Sequence, residues 1–341
     1  MIIKNNTPFI PMLFKGRDQK QSDFWVFVLR GSFRIVPNGR LRPTQEQHAI
    51  VAADEYDGEP NQSSLRRASD LVPLKPRADI HIHATAHAPN GQAHRRWRVS
   101  AKIGSLVKFL TVTGARYWRH SSLGGWALSE PEPCIEVPLR YELAFGGVWA
   151  DGDTEQTCRK NPIGLGFVAS GHVDSSLEIP APQIEDPSDP VTSLGSTHVP
   201  QGVGPIPGSW QPRLMRAGTF DQRWIDERHP ELPLDFDFAF YNSAHPDLIY
   251  PGILQGEEAV QLDGLIPGGG RLAFELPGYR FGLKYRYGDG GAALSPILLD
   301  TLSIDVPNAQ AHLVWRHTFP TDREIDALEV EMAFPFEAAD A

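Results

Sequence analysis

The stretch 78–103, ADIHIHATAHAPNGQAHRRWRVSAKI, decides the fold class because it holds two runs with the period of a half-buried strand. Apolar residues at positions 80, 82, 84 and 86 alternate with polar residues at 81, 83, 85 and 87, and the odd positions from 97 to 103 are apolar. Successive side chains of a strand point to opposite faces, so each run has one apolar face. The turn signal Pro89-Asn90-Gly91 lies between them, which predicts a hairpin over Ala78–Ile103 whose two apolar faces cover one core.

Strand-like runs continue on both sides of this stretch, whereas helical signals are few. With 31 glycines and 30 prolines the chain is too rich in helix-breaking residues for an extended helical architecture. The best helix is the short one over Asp221–Arg228, with Asp221 as N-cap, while the run Thr44–Ala53 fits either helix or strand. The strands are predicted at Phe24–Val36, Val107–Val112, Arg271–Leu276, Ile297–Ile304, Gln310–Phe319 and Glu329–Phe334.

These patterns predict a mainly β protein of antiparallel sheets, packed as a sandwich or partly closed barrel, with long ordered loops and few short helices. The loop-rich part at 121–215 carries Trp126, Tyr141 and Trp149, which indicates packed loops and not a free linker. We therefore expect one interlocked unit over 1–341. The alternative is an N-terminal β region over 1–180 and a C-terminal one over 181–341.

Charge and composition narrow the function classes. The formal net charge of -10 gives no bulk electrostatic reason to bind nucleic acid or an anionic membrane. No apolar stretch reaches membrane-span length, and the N-terminal residues do not form a signal peptide, so we expect a cytosolic protein. Cys134 and Cys158 are too few for a disulfide framework and are expected to be free thiols.

The histidines of the first run could in principle ligate zinc. His81 and His83 share a face of the predicted strand, but no further ligand stands at a diagnostic spacing, and Arg96 and Arg98 on the predicted opposing arm would repel a cation. The expectation is a solvent-exposed His/Arg face that suits an acidic partner, with no metal and no other cofactor.

A carboxylate pair offers the one enzymatic alternative. If Leu234–Phe240 is a strand, Asp235 and Asp237 share one face, as in a glycan-cleaving site. The same residues could instead accept backbone N–H groups of the glycine-rich loops. Because no motif of a hydrolase, phosphate-binding loop or metalloprotease is present, we expect no enzyme. A carbohydrate-active enzyme or lectin-like module, suggested also by the 8 tryptophans, remains the alternative.

A long series of short motifs resembles one protein family in content and order. The series covers roughly residues 1 to 320, and many ordered motifs are more specific than a single one. The motifs are KPRAD (75–79), APNG (88–91), GARYW (114–118), PEP (131–133), VPL (137–139), AFGG (144–147), NPIGLG (161–166), IEDP (184–187), GVGPI (202–206), WQPR (210–213), GTFD (218–221), DFD (235–237) and NSA (242–244). The sequence is similar to accessory proteins of bacterial type VI secretion systems that share a domain of unknown function.

This resemblance implies a non-catalytic effector adaptor or chaperone, which binds a toxic effector and assists its loading onto the VgrG spike. A loader needs an exposed surface with aromatic and arginine anchors, although aromatic residues can equally belong to the core. The partner-binding candidates are Trp210, Arg213, Phe220, Trp224, Phe238, Tyr241, His81, His83, Arg96 and Arg98.

Overall fold

The computed structural model describes residues 2–121, 124–169 and 173–333. Within these ranges the chain forms many strands, one α-helix of six residues, α1 (Gln222–Glu227), and several single 3-10 turns. The strands are β1 (Ile2–Asn5), β2 (Ile10–Arg17), β3 (Asp23–Arg34), β4 (Arg42–Pro43), β5 (Glu55–Tyr56), β6 (Leu65–Arg67), β7 (Asp79–His83), β8 (Thr85–His87), β9 (Arg96–Ile103), β10 (Leu106–Thr113), β11 (Tyr117–Ser121), β12 (Gly125–Leu128), β13 (Glu136–Pro138), β14 (Phe145–Gly146), β15 (Val148–Asp151), β16 (Thr154–Thr157), β17 (Leu165–Gly166), β18 (Ile179–Pro180), β19 (Ile184–Glu185), β20 (Ala259–Ile266), β21 (Gly270–Glu275), β22 (Arg280–Tyr287), β23 (Ala292–Asp305), β24 (Gln310–Pro320) and β25 (Ile325–Ala333).

Two sheets dominate the described part of the chain. The larger one has nine strands, seven of them in the order β1-β25-β22-β23-β24-β3-β2, with β4 beside β3 and β7 beside β23. The second has five strands in the order β19-β10-β9-β20-β21, and one of the sheets curls into a half-barrel. The predicted mainly β fold with few short helices is therefore confirmed. The prediction of a single interlocked unit stays a prediction.

Strands form at the six runs listed above, from Phe24–Val36 to Glu329–Phe334, with bounds that differ by a few residues, but the pairing predicted for Ala78–Ile103 is wrong. The two arms do not pair with each other: β7 lies parallel to β23, with Ile80 opposite Leu302, whereas β9 pairs with β10 and β20 in the other sheet. The stretch therefore connects two sheets. The hairpin that does form is β9–β10, which closes around the tight turn at Gly104.

One large core cluster holds buried side chains from both sheets. At one place in it the Trp315 ring, which is 1% exposed, packs on Phe281 and Phe9 at centroid distances of 4.9 and 5.8 Å. Edge-to-face and offset contacts of this kind contribute about 0.5 to 1.5 kcal/mol each beyond area burial. A second cluster lies mostly within the loop-rich part, where Ile179 and Val191 are buried, so the predicted packing of those loops is confirmed.

Three local predictions have clear outcomes. The ambiguous run Thr44–Ala53 forms neither helix nor strand, because the Gln47 side chain accepts the backbone N–H of Ser32 and ties the run to β3. Cys134 and Cys158 are free, as predicted. The predicted strand Glu329–Phe334 is confirmed up to Ala333, and Phe334 lies outside the described residues.

Candidate interaction surface

Residues 213–241, called here the 213–241 segment, begin at a buried anchor. The Arg213 guanidinium donates to the carbonyl oxygens of Ile206 (2.6 Å) and Phe240 (2.9 Å), and it lies 5.0 Å from the centre of the Phe240 ring. Arg213 thus ties both ends of the segment together. Trp210, just before the segment, is 1% exposed and meets Tyr141 edge-on at 5.6 Å. Both predicted partner-binding residues are therefore structural supports of the segment.

Helix α1 stands in the middle of the 213–241 segment. As predicted, Asp221 caps it, because the Asp221 carboxylate accepts the backbone N–H of Trp224 at 2.9 Å. The half-buried Trp224 ring packs on Phe220 with 4.8 Å between centroids and donates its Nε1–H to the carbonyl oxygen of Glu231. The helix buries no residue completely, so its outer side faces solvent.

The segment also exposes a set of large apolar side chains. Five of them lie within 21 residues of sequence: Leu214, Met215, Phe220, Ile225 and Leu234 are 49%, 73%, 54%, 53% and 66% exposed. Large exposed apolar groups that occur together are a mark of interaction sites in proteins, whereas scattered single ones are normal.

Backbone contacts bring the two loops of the segment side by side. The Asp237 N–H donates to the carbonyl oxygen of Arg216, and the Asp235 carboxylate accepts the backbone N–H of Thr219. The loop with Leu214 and Met215 therefore runs beside the loop that follows Leu234. Ion pairs flank the apolar residues, with Arg216 on Asp237 and Arg223 on Glu227. The segment thus combines exposed apolar side chains with charged side chains that are already paired, a mixture that is found in protein interfaces.

The segment is also fixed to the edge of the nine-stranded sheet. Arg228 donates to the carbonyl oxygen of Gln19 at 2.7 Å, in the turn between β2 and β3, and Arg17 of β2 pairs with Glu231 at 2.8 Å. The exposed apolar residues are thus presented on a supported platform beside an edge strand, which is how loops on a β scaffold form binding sites.

The two remaining aromatic candidates pack on a buried aromatic ring of the same segment. Phe238 and Tyr241 are half-buried and pack against the buried Phe236 ring, each with a centroid distance of 5.5 Å. Of the six candidates in this part of the chain, Phe220 is exposed, Trp224, Phe238 and Tyr241 are half-buried, and Trp210 and Arg213 are buried.

The strand predicted for Leu234–Phe240 is wrong, and with it the carboxylate pair. Residues 234 and 235 form a turn. Asp237 caps a 3-10 turn by accepting the Ala239 N–H, whereas Asp235 accepts both the N–H and the hydroxyl of Thr219. These hydrogen bonds lower the pKa of Asp235. The two carboxylates thus hold backbone in place, which is the structural alternative that the sequence had left open.

The predicted His/Arg solvent face is also wrong. His81 is buried, with its Nε2 3.1 Å from the Ser243 hydroxyl, while Arg96 and Arg98 are exposed on β9 in the other sheet. Burial lowers the pKa of His81 to about 3, so its ring is neutral at pH 7. His83 is half-buried, and burial lowers its pKa as well.

His81 and His83 instead line a small cavity, called here the polar chamber. Its volume is about 50 Å³. Buried ion pairs surround it: Arg30 on Asp70 and Lys75 on Asp79, each at 2.8 Å. No alternation or motif in the sequence indicates these ion pairs. The charged and histidine residues that line the polar chamber are Arg30, Asp57, Arg66, Arg67, Asp70, Lys75, His81, His83, Arg140, Asp305 and His312.

The exposed apolar residues of the 213–241 segment were missed from sequence, apart from Phe220. A signal existed: Leu214, Met215 and Leu234 stand next to proline-bounded turns, where no periodic element could bury them. Within the described ranges, no three His, Cys, Asp or Glu side chains converge so as to hold a metal ion. In the same ranges no helix has the length and apolar character needed to cross a bilayer.

Comparison with known proteins places most of the chain in one family. Residues 20–316 match the model of the family described as "Uncharacterized protein conserved in bacteria (DUF2169)". Neither the curated proteins nor the solved structures contain a match to the sequence.

Proposed function

The chain belongs to this bacterial family, and we propose that it is a non-catalytic adaptor or chaperone of a type VI secretion system. In this role it binds an effector and assists its loading onto the VgrG spike. The link to type VI secretion comes from the ordered motif series, since the family description carries no function. The mode of action, binding of another protein, is supported by one observation: the exposed apolar set of the 213–241 segment.

The energetics of that set suit a protein interface. Burying a large apolar side chain contributes about 1.5 to 3 kcal/mol when it starts fully exposed, and these five start about half to three-quarters exposed. Their combined burial would contribute several kcal/mol, which is the scale of an interface hot spot. The anchors at Arg213 and Arg228 reduce the entropy that binding would otherwise cost, because the platform is already ordered.

Co-purification from the native bacterial cytosol at mild salt tests the function. Recovery of an effector toxin or a VgrG protein with the chain is the expected result. If neither is recovered, the adaptor function is contradicted. The recovered partner is then purified and its Kd for the chain is measured.

Surface variants test the site separately. The double substitution Phe220→Ser and Ile225→Ser should raise the Kd for the recovered partner at least tenfold. Phe109→Ser is the matched control, because Phe109 is 58% exposed on β10, outside the segment. If the double variant binds as tightly as the control, the surface assignment is overturned, while the function stands on the co-purification.

A further inference from the structure

The polar chamber carries an inference that does not depend on the adaptor function. Its charged lining has five cationic side chains and three carboxylates. Four of the cationic groups are arginines, whose planar guanidinium groups match the geometry of oxyanions. The chamber is also small, so it could hold a few water molecules or one compact polyatomic group but no nucleotide.

Two arginines at the rim of the chamber lack close partners. The Arg66 guanidinium lies 3.6 Å from the Asp57 carboxylate and 3.9 Å from Asp305, and Arg140 lies 3.6 Å from the same Asp57. At these distances the groups form ion pairs but no hydrogen bonds. Among the described residues neither guanidinium donates a hydrogen bond, and the two side chains are 35% and 46% exposed. Both therefore keep N–H donors free for a ligand.

A third arginine that lines the chamber, Arg30, is buried and has an unused donor. The Arg30 side chain is 4% exposed, and its Nη1 donates to Asp70 at 2.8 Å. Its Nε–H has no acceptor among the described residues. An unsatisfied buried donor costs about 1 to 3 kcal/mol, and more on a charged group. Lys75, which lines the same chamber, uses two donors, on Thr301 and Asp79, and its ammonium group carries a third N–H.

We propose that the polar chamber binds a small oxyanion, a phosphate or a carboxylate group, between Arg30 inside and Arg66 and Arg140 at the rim. The anion accepts the Arg30 Nε–H and replaces the long contacts of the rim arginines with charge-assisted hydrogen bonds. Asp57 and Asp305 oppose it, which limits the site to a weak or moderate affinity. The alternative occupant is water, which satisfies donors without neutralising charge.

Isothermal titration of the full chain with inorganic phosphate and with malonate, at constant ionic strength against chloride, tests the proposal. Saturable binding of either anion supports the proposal. The anion that binds more tightly shows whether the chamber prefers a phosphate or a carboxylate group. Arg66→Gln with Arg140→Gln should weaken binding at least tenfold. Arg280→Gln is the matched control, since Arg280 is 39% exposed in a comparably loose ion pair with Glu257.

A second readout does not depend on the variants. An anion in the chamber favours the protonated imidazole of His83, so whichever of the two anions binds more tightly should raise the pKa of His83 in an NMR titration of the unmodified chain. The proposal is overturned if neither anion binds above chloride. It is equally overturned if the double variant binds like the control, or if the His83 titration does not move.

Discussion

Mild acid should destabilise this protein steeply, because three buried histidines resist protonation. His81, His245 and His312 are 6%, 2% and 3% exposed. Burial lowers the pKa of His81 and of His312 to about 3 and that of His245 to about 4. The charges of Lys108 beside His245 and of Arg30 near His312 act in the same direction.

The sign and size of the effect follow from proton linkage. In the unfolded chain each histidine titrates near pH 6.5, so as the pH falls from about 6.5 to 5 the unfolded state comes to bind nearly three protons that the folded state does not. Stability is therefore lost as the pH falls through this window. Each group contributes up to about 1.4 kcal/mol per pH unit, and because an unfolded histidine is only half protonated at pH 6.5, the three together cost about 5 kcal/mol between pH 6.5 and 5. That is comparable with the total stability of many proteins.

Urea unfolding at pH 7.5, 6.5, 5.5 and 5.0 measures the slope. His312→Asn should reduce it by about one proton, because the asparagine amide can replace the Nδ1 contact of His312 with Ser32 without titrating. His120→Asn, at an exposed position, is the control. Asp79 does not interfere: burial raises its pKa, but Lys75 and other partners outweigh this and lower it to about 2, below the window. A slope under one proton between pH 5 and 6.5 would refute the reasoning.

Three further predictions concern a buried ion pair, a helix cap and a tightly packed glycine. Asp79→Asn should cost about 3 to 5 kcal/mol in urea unfolding, because it leaves the Lys75 ammonium buried without its counter-charge, and adding Lys75→Met should recover at least half of the loss. Asp221→Ala should cost about 1 kcal/mol and speed amide exchange in α1 alone, and exchange rising across the sheets would contradict it. Gly114→Ala should lower the Tm far more than Gly91→Ala. A Cβ at position 114 would lie 1.8 Å from the backbone oxygen of Glu132, whereas a Cβ at position 91 would have no described atom within 4 Å. Similar decreases in Tm for the two variants would contradict this prediction.

Strand positions could be predicted from sequence because alternation is a local property. The twelve residues of β3 and the eleven of β24 are rich in β-branched and aromatic residues, and both strands lie where their patterns predict. Pairing is not local. β7 pairs in parallel with β23, which lies more than 200 residues away in the sequence. The period-two pattern of β7 does not indicate whether its partner is β23 or the nearby β9.

The misplacement of His81 has a related cause. Alternation shows that His81 lies on the face opposite Ile80 and Ile82, but it does not show whether that face meets water. Here the second face is covered by loops, which supply Lys75 and Ser243 around the ring. Because an exposed polar run and a buried polar network have the same sequence pattern, the polar chamber could be found only from the folded arrangement.

The aromatic residues near the 213–241 segment show the same limit for a binding surface. Trp210 and Phe220 are ten residues apart and are both large aromatic residues, yet one is 1% and the other 54% exposed. The difference arises at Arg213, which donates to the carbonyl oxygens of Ile206 and Phe240. Trp210, just before this anchor, is packed into the core, whereas the chain after the anchor is fixed to the edge of the nine-stranded sheet. An arginine with two carbonyl acceptors 7 and 27 residues away has no sequence signature, so the position of the surface depends on a contact that only the fold creates.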